Sequence, residues 1–150
     1  MKKIVIKIGG NAATQLTPAF FDTIKFWQKQ HYKIAIVHGG GDTISALMSQ
    51  LNEPVQKING IRFTTQNGIN ITKMALLGQV QPALLEACRV NGLSVIGLNA
   101  ASDQLLTGHT IDQDIFGYVG NIHQVNTKLI HNLWEKNFIP IIAPMAITNS

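Results

Sequence analysis

The segment Ile34-Ala35-Ile36-Val37-His38-Gly39-Gly40-Gly41-Asp42 runs from an apolar, mostly β-branched stretch straight into three consecutive glycines. Its first half reads as a buried strand, and the residues that follow it read as an amphipathic helix carrying Ile44, Leu47, Met48 and Leu51. Glycine lets a ligand approach the main chain closely. The helix start directs unpaired N–H groups and its positive dipole end at the same spot. A strand, a glycine turn and a helix N-terminus together make an anion site.

On either side of it the same grammar recurs. Lys2–Ile8 is a β-branched run ending in Gly9-Gly10, which fits a central strand. Thr17-Pro18 opens a helix with the stripe Phe20, Phe21, Ile24, Trp27, and Asp42 or Thr43 caps the next one. Pro54–Thr64 forms two short extended pieces around Asn59-Gly60, a hairpin signal. A long helical pattern runs from Asn70 or Thr72 to Asn91, with a kink expected near Pro82 and an end at Asn91-Gly92. Leu93–Leu98 is a third strand, residues 102–122 a second small hairpin region, and Asn126 caps a helix with Leu129, Ile130, Leu133 and Trp134 on one side. Phe138–Pro144 is a fourth buried strand. This alternation predicts an α/β domain, an open and mainly parallel sheet with helices on both faces. Ligands of such sheets sit at the carboxyl ends of the strands, where Lys7, Gly9-Gly10 and His38–Gly41 all fall.

At 150 residues, 45% apolar and 13% charged, the chain is the size of one globular domain. Ten lysines and two arginines against eight acids give +4, which favours anionic ligands. The lysines are scattered rather than clustered, so no nucleic-acid partner is expected. Cys88 is the single cysteine, set in an apolar helical stretch, which fits a packed thiol in a reducing compartment. The apolar start of the chain is broken at Lys7, too short for a signal peptide, and no apolar run approaches a membrane span. A cytoplasmic protein without a membrane partner is expected.

Three side chains carry two readings each. Lys7 either alternates with Lys3 and Val5 on a wet face or directs its amine at an anion. Arg62, just after the Asn59-Gly60 turn, either grips a carboxylate with paired hydrogen bonds or is a solvated edge-strand charge. His38 either contacts a ligand or hydrogen-bonds neighbouring backbone. The chain has no P-loop, no Gly-x-Gly-x-x-Gly (Ile44 stands at the third position) and no Gly-x-Ser-x-Gly elbow. The histidines show no metal-ligand spacing, so no metal site is expected.

In this order, Lys7-Ile8-Gly9-Gly10, Val37-His38-Gly39-Gly40-Gly41 and Asn59-Gly60-Ile61-Arg62-Phe63-Thr64 resemble the amino acid kinase family. The likeness runs the whole chain, through Gly117-Tyr118-Val119-Gly120 and Ile139–Pro144, and is strongest to the branch that phosphorylates the side-chain carboxylate of N-acetyl-L-glutamate in arginine biosynthesis. The resemblance implies an αβα sandwich and an ATP-dependent phosphotransferase, with Mg2+ carried by the nucleotide. It implies that Lys7 meets the phosphoryl group in flight, that Gly9 and Gly10 offer N–H groups to nucleotide phosphates, that Gly40 and Gly41 hold the amino-acid substrate, and that Arg62 clamps its α-carboxylate. Family members are longer, with most of the ATP site in a second half. Residues 1–150 therefore correspond to the amino-acid-binding domain, and the isolated chain is expected to be inactive. The first strand starts directly, without the helix that accompanies arginine-inhibited hexamers, which implies an arginine-insensitive homodimer. Two alternatives stand beside this: a non-catalytic N-acetylglutamate-binding or dimerisation fragment, and a kinase for a related amino-acid derivative.

Overall fold

The computed structural model describes residues 1–9, 12–13 and 15–148. Strand β1 (Lys3–Ile8) leads to helix α1 (Pro18–Lys29), and β2 (Lys33–His38) to α2 (Gly41–Gln50). The hairpin β3 (Gln56–Ile58) and β4 (Ile61–Phe63) follows, then α3 (Gln66–Ala75), a π-helical turn (Leu76–Val80) and α4 (Gln81–Val90). Next come β5 (Val95–Leu98), β6 (Leu106–Thr110), the short α5 (Gln113–Phe116), β7 (Gly120–Val125), α6 (Thr127–Glu135), β8 (Ile139–Ile142) and β9 (Ile147–Thr148). None of the described helices is long and apolar enough to cross a membrane.

The main sheet is wholly parallel, in the order β1-β2-β8-β5. Period-two alternation divides its side chains between two cores. Ile34, Ile36, Ile139 and Ile141 pack with Phe21 and Ile24 of α1 and with Leu84 and Cys88 of α4. On the opposite face Val37, Ile96, Leu98 and Ile142 pack with Leu129, Ile130 and Leu133 of α6. Helices therefore cover both faces, as the alternation of elements predicts. Each fully buried isoleucine contributes about 1.5–3 kcal/mol relative to exposure, so β2 and β8 are the strands that anchor the domain. Burial also pushes the Cys88 thiol up to about 11, which keeps it a packed, protonated group.

Strand β1 is at the edge of this sheet and not at its centre. Lys3, Val5 and Lys7 alternate on its exposed face while Ile4, Ile6 and Ile8 turn inward, so the wet-face reading of that alternation holds. A central strand covered on both faces has no place for two solvated lysines.

The long helical pattern begins earlier than expected, at Gln66, because Thr65 caps it by accepting the Gly68 N–H. Its interruption is not a simple kink at Pro82. Proline has no N–H for the carbonyl four residues back, and its ring crowds that carbonyl. The residue four back is Gly78, in the middle of the π-turn, where the wider winding relieves the crowding. Three other turn and helix-end signals read correctly. Asn59 and Gly60 both take positive φ, as the tight hairpin turn requires, Gly92 ends α4 at φ +77°, and the Asn126 side chain accepts the Leu129 N–H.

Pro140 stands in a central strand, where a ladder hydrogen bond is lost. Ile139 pairs with Val95 and donates to the Ser94 carbonyl; alternate residues of a strand donate to alternate neighbours, so residue 140 faces β2. With Ile36 opposite Ile141, the carbonyl left without its rung is that of Ile34. The Trp134 indole Nε1–H supplies the missing donor, at 2.8 Å from the Ile34 oxygen. One helix side chain thus completes the sheet.

Gly117 (φ +67°, ψ −134°) is packed against the Thr64 main chain where a Cβ would stand. That contact lets Thr64 N–H donate to the Phe116 carbonyl at 3.0 Å and the Tyr118 N–H donate to the Thr64 carbonyl at 2.8 Å. It joins the β3–β4 hairpin to the loop before β7.

Two substitutions test these joints. Trp134→Phe keeps an aromatic ring but leaves the Ile34 carbonyl unpaired, and urea unfolding is expected to show a loss of about 1–3 kcal/mol. Gly117→Ala places a Cβ against backbone at a φ that side chains rarely adopt, with an expected loss of about 2–4 kcal/mol. A loss below about 0.5 kcal/mol in either case, the scale of neutral surface changes, removes the joint concerned.

Candidate functional site

The site is built where β1 and β2 end side by side. Gly39 N–H donates to the Ile8 carbonyl at 2.6 Å, carrying the ladder one step past β2 and holding the two following loops together. Lys7 points to the exposed face, and its ammonium lies over this junction. Its Nζ is 3.6 Å from where a Cβ on Gly9 would stand and 3.5 Å from the same point on Gly39. The wet-face and anion-directed readings of Lys7 are therefore compatible, since the side chain runs along the wet face to the rim. Neither of the described ion pairs, Lys25–Asp22 and Arg89–Glu86, involves Lys7. Gly10, the partner of Gly9 in the predicted phosphate loop, lies outside the described residues.

Gly40 and Gly41 differ in what they do. Gly40 has extended backbone, and its missing side chain is a packing requirement: a Cβ would stand 2.8 Å from Leu76 Cδ2 and 2.9 Å from Val80 Cγ2 of the π-turn. At Gly41 a Cβ meets nothing within 4 Å among the described residues, so this side of the loop is open to them. Helix α2 starts at Gly41 with Gly40 as N-cap, two or three residues before the cap expected at Asp42 or Thr43, and no side chain caps it among the described residues. Ile44 N–H is the first to find an intrahelical acceptor, the Gly40 carbonyl at 2.9 Å. Among the described residues the N–H groups of Gly41, Asp42 and Thr43 have no partner, which makes them donors available to an anion.

Arg62 turns inward onto α2 and is not a solvated edge charge. Its Nη2 donates to Ser45 Oγ at 2.8 Å and its Nη1 to Met48 Sδ at 3.2 Å. Ser45 Oγ in turn donates to the Gly41 carbonyl at 2.9 Å, which places the guanidinium within about one helical turn of the open glycine. The hairpin that carries Arg62 is closed at its base by Glu53. That carboxylate accepts from Thr65 Oγ1 and Asn67 Nδ2, each at 2.6 Å, and the two bonds hold its pKa below the ordinary value. No carboxylate pairs with Arg62 among the described residues.

Beneath the glycines His38 is fully buried. Its Nδ1 lies 3.0 Å from the Gly39 carbonyl and its Nε2 3.3 Å from Gln81 Nε2. Burial lowers its pKa, the Gly39 carbonyl pulls the other way, and the Lys7 charge adds to the lowering. The backbone-bonded reading of His38 is the correct one. Gln81 also donates to the carbonyls of Leu98 and Ile141, at 3.1 Å each, joining the ends of three strands.

Gln81 and Ser45 were not singled out by sequence. Gln81 left a signal in its position, since it interrupts the apolar spacing Leu77, Leu84, Leu85, Cys88 on a helix that is otherwise buried there. Ser45 left none, because its neighbours in space come from the hairpin.

One rim therefore gathers an ammonium, a guanidinium and free main-chain donors, with no carboxylate paired to either cation among the described residues. Such a set has the chemistry to bind a polyanion and to neutralise charge on transferring oxygens. Comparison with known proteins agrees with this chemistry. The chain is 98% identical over its whole length to an acetylglutamate kinase of Leuconostoc mesenteroides subsp. mesenteroides, covering 62% of that protein. It is 50% identical to an acetylglutamate kinase of Lactiplantibacillus plantarum, over 99% of this chain and 60% of that one. It thus spans about three-fifths of the length of these curated relatives. Among solved structures, smu.665 from Streptococcus mutans superimposes with a TM-score of 0.94 at 37% identity, over 98% of this chain and 60% of that chain. An N-acetylglutamate synthase from Neisseria gonorrhoeae, at 16% identity and a TM-score of 0.72, over 98% of this chain and 36% of that one, shares the fold. Residues 2–150 match the profile described as the amino acid kinase family, and the chain belongs to that family.

Proposed function

We propose that this chain is the amino-acid-binding domain of an enzyme that phosphorylates the side-chain carboxylate of N-acetyl-L-glutamate at the expense of ATP, with the nucleotide held largely by the remaining length found in its relatives. The observation that carries the reading is the Lys7 ammonium set between Gly9 and Gly39, beside the unpaired donors of α2. The names of the relatives support the choice of substrate.

In this reading the substrate enters as a dianion. Its α-carboxylate takes the free guanidinium edge of Arg62, and main-chain N–H groups at Gly40 and Gly41 fix the rest of the molecule. The side-chain carboxylate is thereby aimed at the γ-phosphorus of ATP. In-line attack forms the carboxyl–phosphate bond and breaks the bond to ADP, so no protein nucleophile is required. Negative charge spreads over the equatorial oxygens as the phosphoryl group moves, and Lys7 is the cation placed for it. Gly9 and Gly10 offer N–H groups to the nucleotide phosphates, and Mg2+ arrives as part of the nucleotide substrate.

The roles separate kinetically. In a full-length kinase carrying this sequence, Lys7→Ala is expected to cut kcat by about 10²–10³-fold with KM little changed, because its charge is needed in the transition state. Arg62→Ala is expected to raise KM for N-acetyl-L-glutamate by about 10–100-fold with a smaller effect on kcat, because the α-carboxylate is bound alike throughout. Interchanged effects, or a Lys7→Ala enzyme as fast as the wild type, sink the assignment. A longer homologue with one more methylene is expected to bind about 10–200-fold more weakly by calorimetry, and equal affinity rejects N-acetyl-L-glutamate as the preferred substrate.

A further inference from the structure

We infer that Gln81 and His38 are positioning residues that fix the orientation of the anion-binding glycine loop, by a relay from the Gln81 amide through one imidazole tautomer to the Gly39 carbonyl. The inference rests on the substrate reading above and extends it to side chains that touch neither substrate.

The relay follows from counting donors and acceptors. Two carbonyls, Leu98 and Ile141, each lie 3.1 Å from Gln81 Nε2, so this end of the amide must be the NH2 group. An NH2 group cannot accept, so the His38 Nε2 facing it at 3.3 Å must carry the lone pair. The proton of the neutral ring is then on Nδ1, which donates to the Gly39 carbonyl at 3.0 Å. A protonated ring would set Nε2–H against a second donor inside a fully buried site, with the Lys7 charge nearby. The two amide hydrogens are shared among three acceptors, and only the neutral Nδ1–H tautomer sets no donor against the Gln81 NH2 group.

The consequence lies in the next peptide plane. The Gly39 carbonyl and Gly40 N–H belong to the same trans peptide and point in opposite directions. Holding the carbonyl toward His38 turns the Gly40 N–H away from it. Gly40 N–H has no backbone acceptor among the described residues. The π-turn closes the loop from the other side, because Leu76 and Val80 press on Gly40 and Gln81 is the residue that follows. Glycine by itself permits many loop conformations. The relay selects the one that presents its donors.

The test compares substitutions that differ only in which imidazole nitrogen they mimic, in the full-length protein carrying this sequence. His38→Asn places an amide NH2 near the position of Nδ1 and keeps the donor to Gly39. His38→Gln reaches the Nε2 position and loses that donor. Calorimetry with N-acetyl-L-glutamate is expected to show His38→Asn recovering most of the wild-type affinity and His38→Gln losing about tenfold or more, one charge-assisted contact's worth. Thermal melts verify folding, and should His38→Gln not fold, Gln81→Met takes its place in the same comparison. Imidazole 15N shifts are expected to report the Nδ1–H tautomer in the wild type and a mixture in Gln81→Met, a signature that a purely structural role does not move. Equal affinity in all folded variants, equal loss in His38→Asn and His38→Gln, or an Nε2–H tautomer in the wild type overturns the relay. A wild-type protein that fails to bind N-acetyl-L-glutamate while its 15N shifts show the Nδ1–H form overturns the substrate reading instead.

Discussion

The hydrogen bond from Gly39 N–H to the Ile8 carbonyl places two strand ends in register at the rim, and the site depends on it. Parallel pairing of β1 with β2 puts Ile8 beside His38, so the glycines that follow each strand leave the sheet together. Had the pair been antiparallel, one glycine loop would lie at each end of the sheet and no ligand would meet both. Parallel pairing requires a crossover, which α1 provides by packing Phe21 and Ile24 onto Ile34 and Ile36. The hydrophobic face of α1 and the location of the ammonium on Lys7 are thus parts of one arrangement.

The site is also fixed from the side of the hairpin. Arg62 stands on a two-strand element with little buried surface, which alone is too small to be stable in water. Three attachments make it definite: the Glu53 carboxylate at its base, the Thr64 main chain against Gly117, and the guanidinium itself on Ser45 and Met48. The exposed ion pair Arg89–Glu86, remote from the site, adds little to stability by comparison.

Local chemistry was legible in the sequence, and long-range chemistry was not. Asn59-Gly60, Asn91-Gly92 and Asn126 declare a turn, a helix end and a helix start by their own backbone preferences, and all three hold. The β-branched runs give the four strands of the sheet, and the glycines after them give the rim. Strand order was out of reach, because the edge position of β1 is set by which neighbours bury it, although the Lys3, Val5, Lys7 alternation carried a hint. The start of α2 moved to Gly41 because the pressure of Leu76 and Val80 on Gly40 decides where the chain turns, and this contact spans some forty residues. The π-turn in place of a kink, the Gln81 amide under three strand ends and the indole rung at Ile34 share that cause. Each is a solution to a hydrogen-bonding demand created elsewhere in the chain.

The electrostatics give the site its purpose. Lys7 and Arg62 are brought toward one rim in a chain of net charge +4 with only eight acids, and neither described ion pair involves them. Glu53, the carboxylate closest in sequence to the hairpin, is taken up by Thr65 and Asn67, so it is not available to neutralise Arg62. Two cations with no carboxylate paired to them among the described residues, set near helix N–H groups, repel one another. A native structure retains such an arrangement where the missing charge is delivered from outside. The donors, moreover, are mostly main-chain groups and a guanidinium laid along a helix, which do not reorganise when an anion arrives. Under the proposed reading, a substrate with carboxylates at both ends would give one to the guanidinium and bring the other, reactive one toward Lys7.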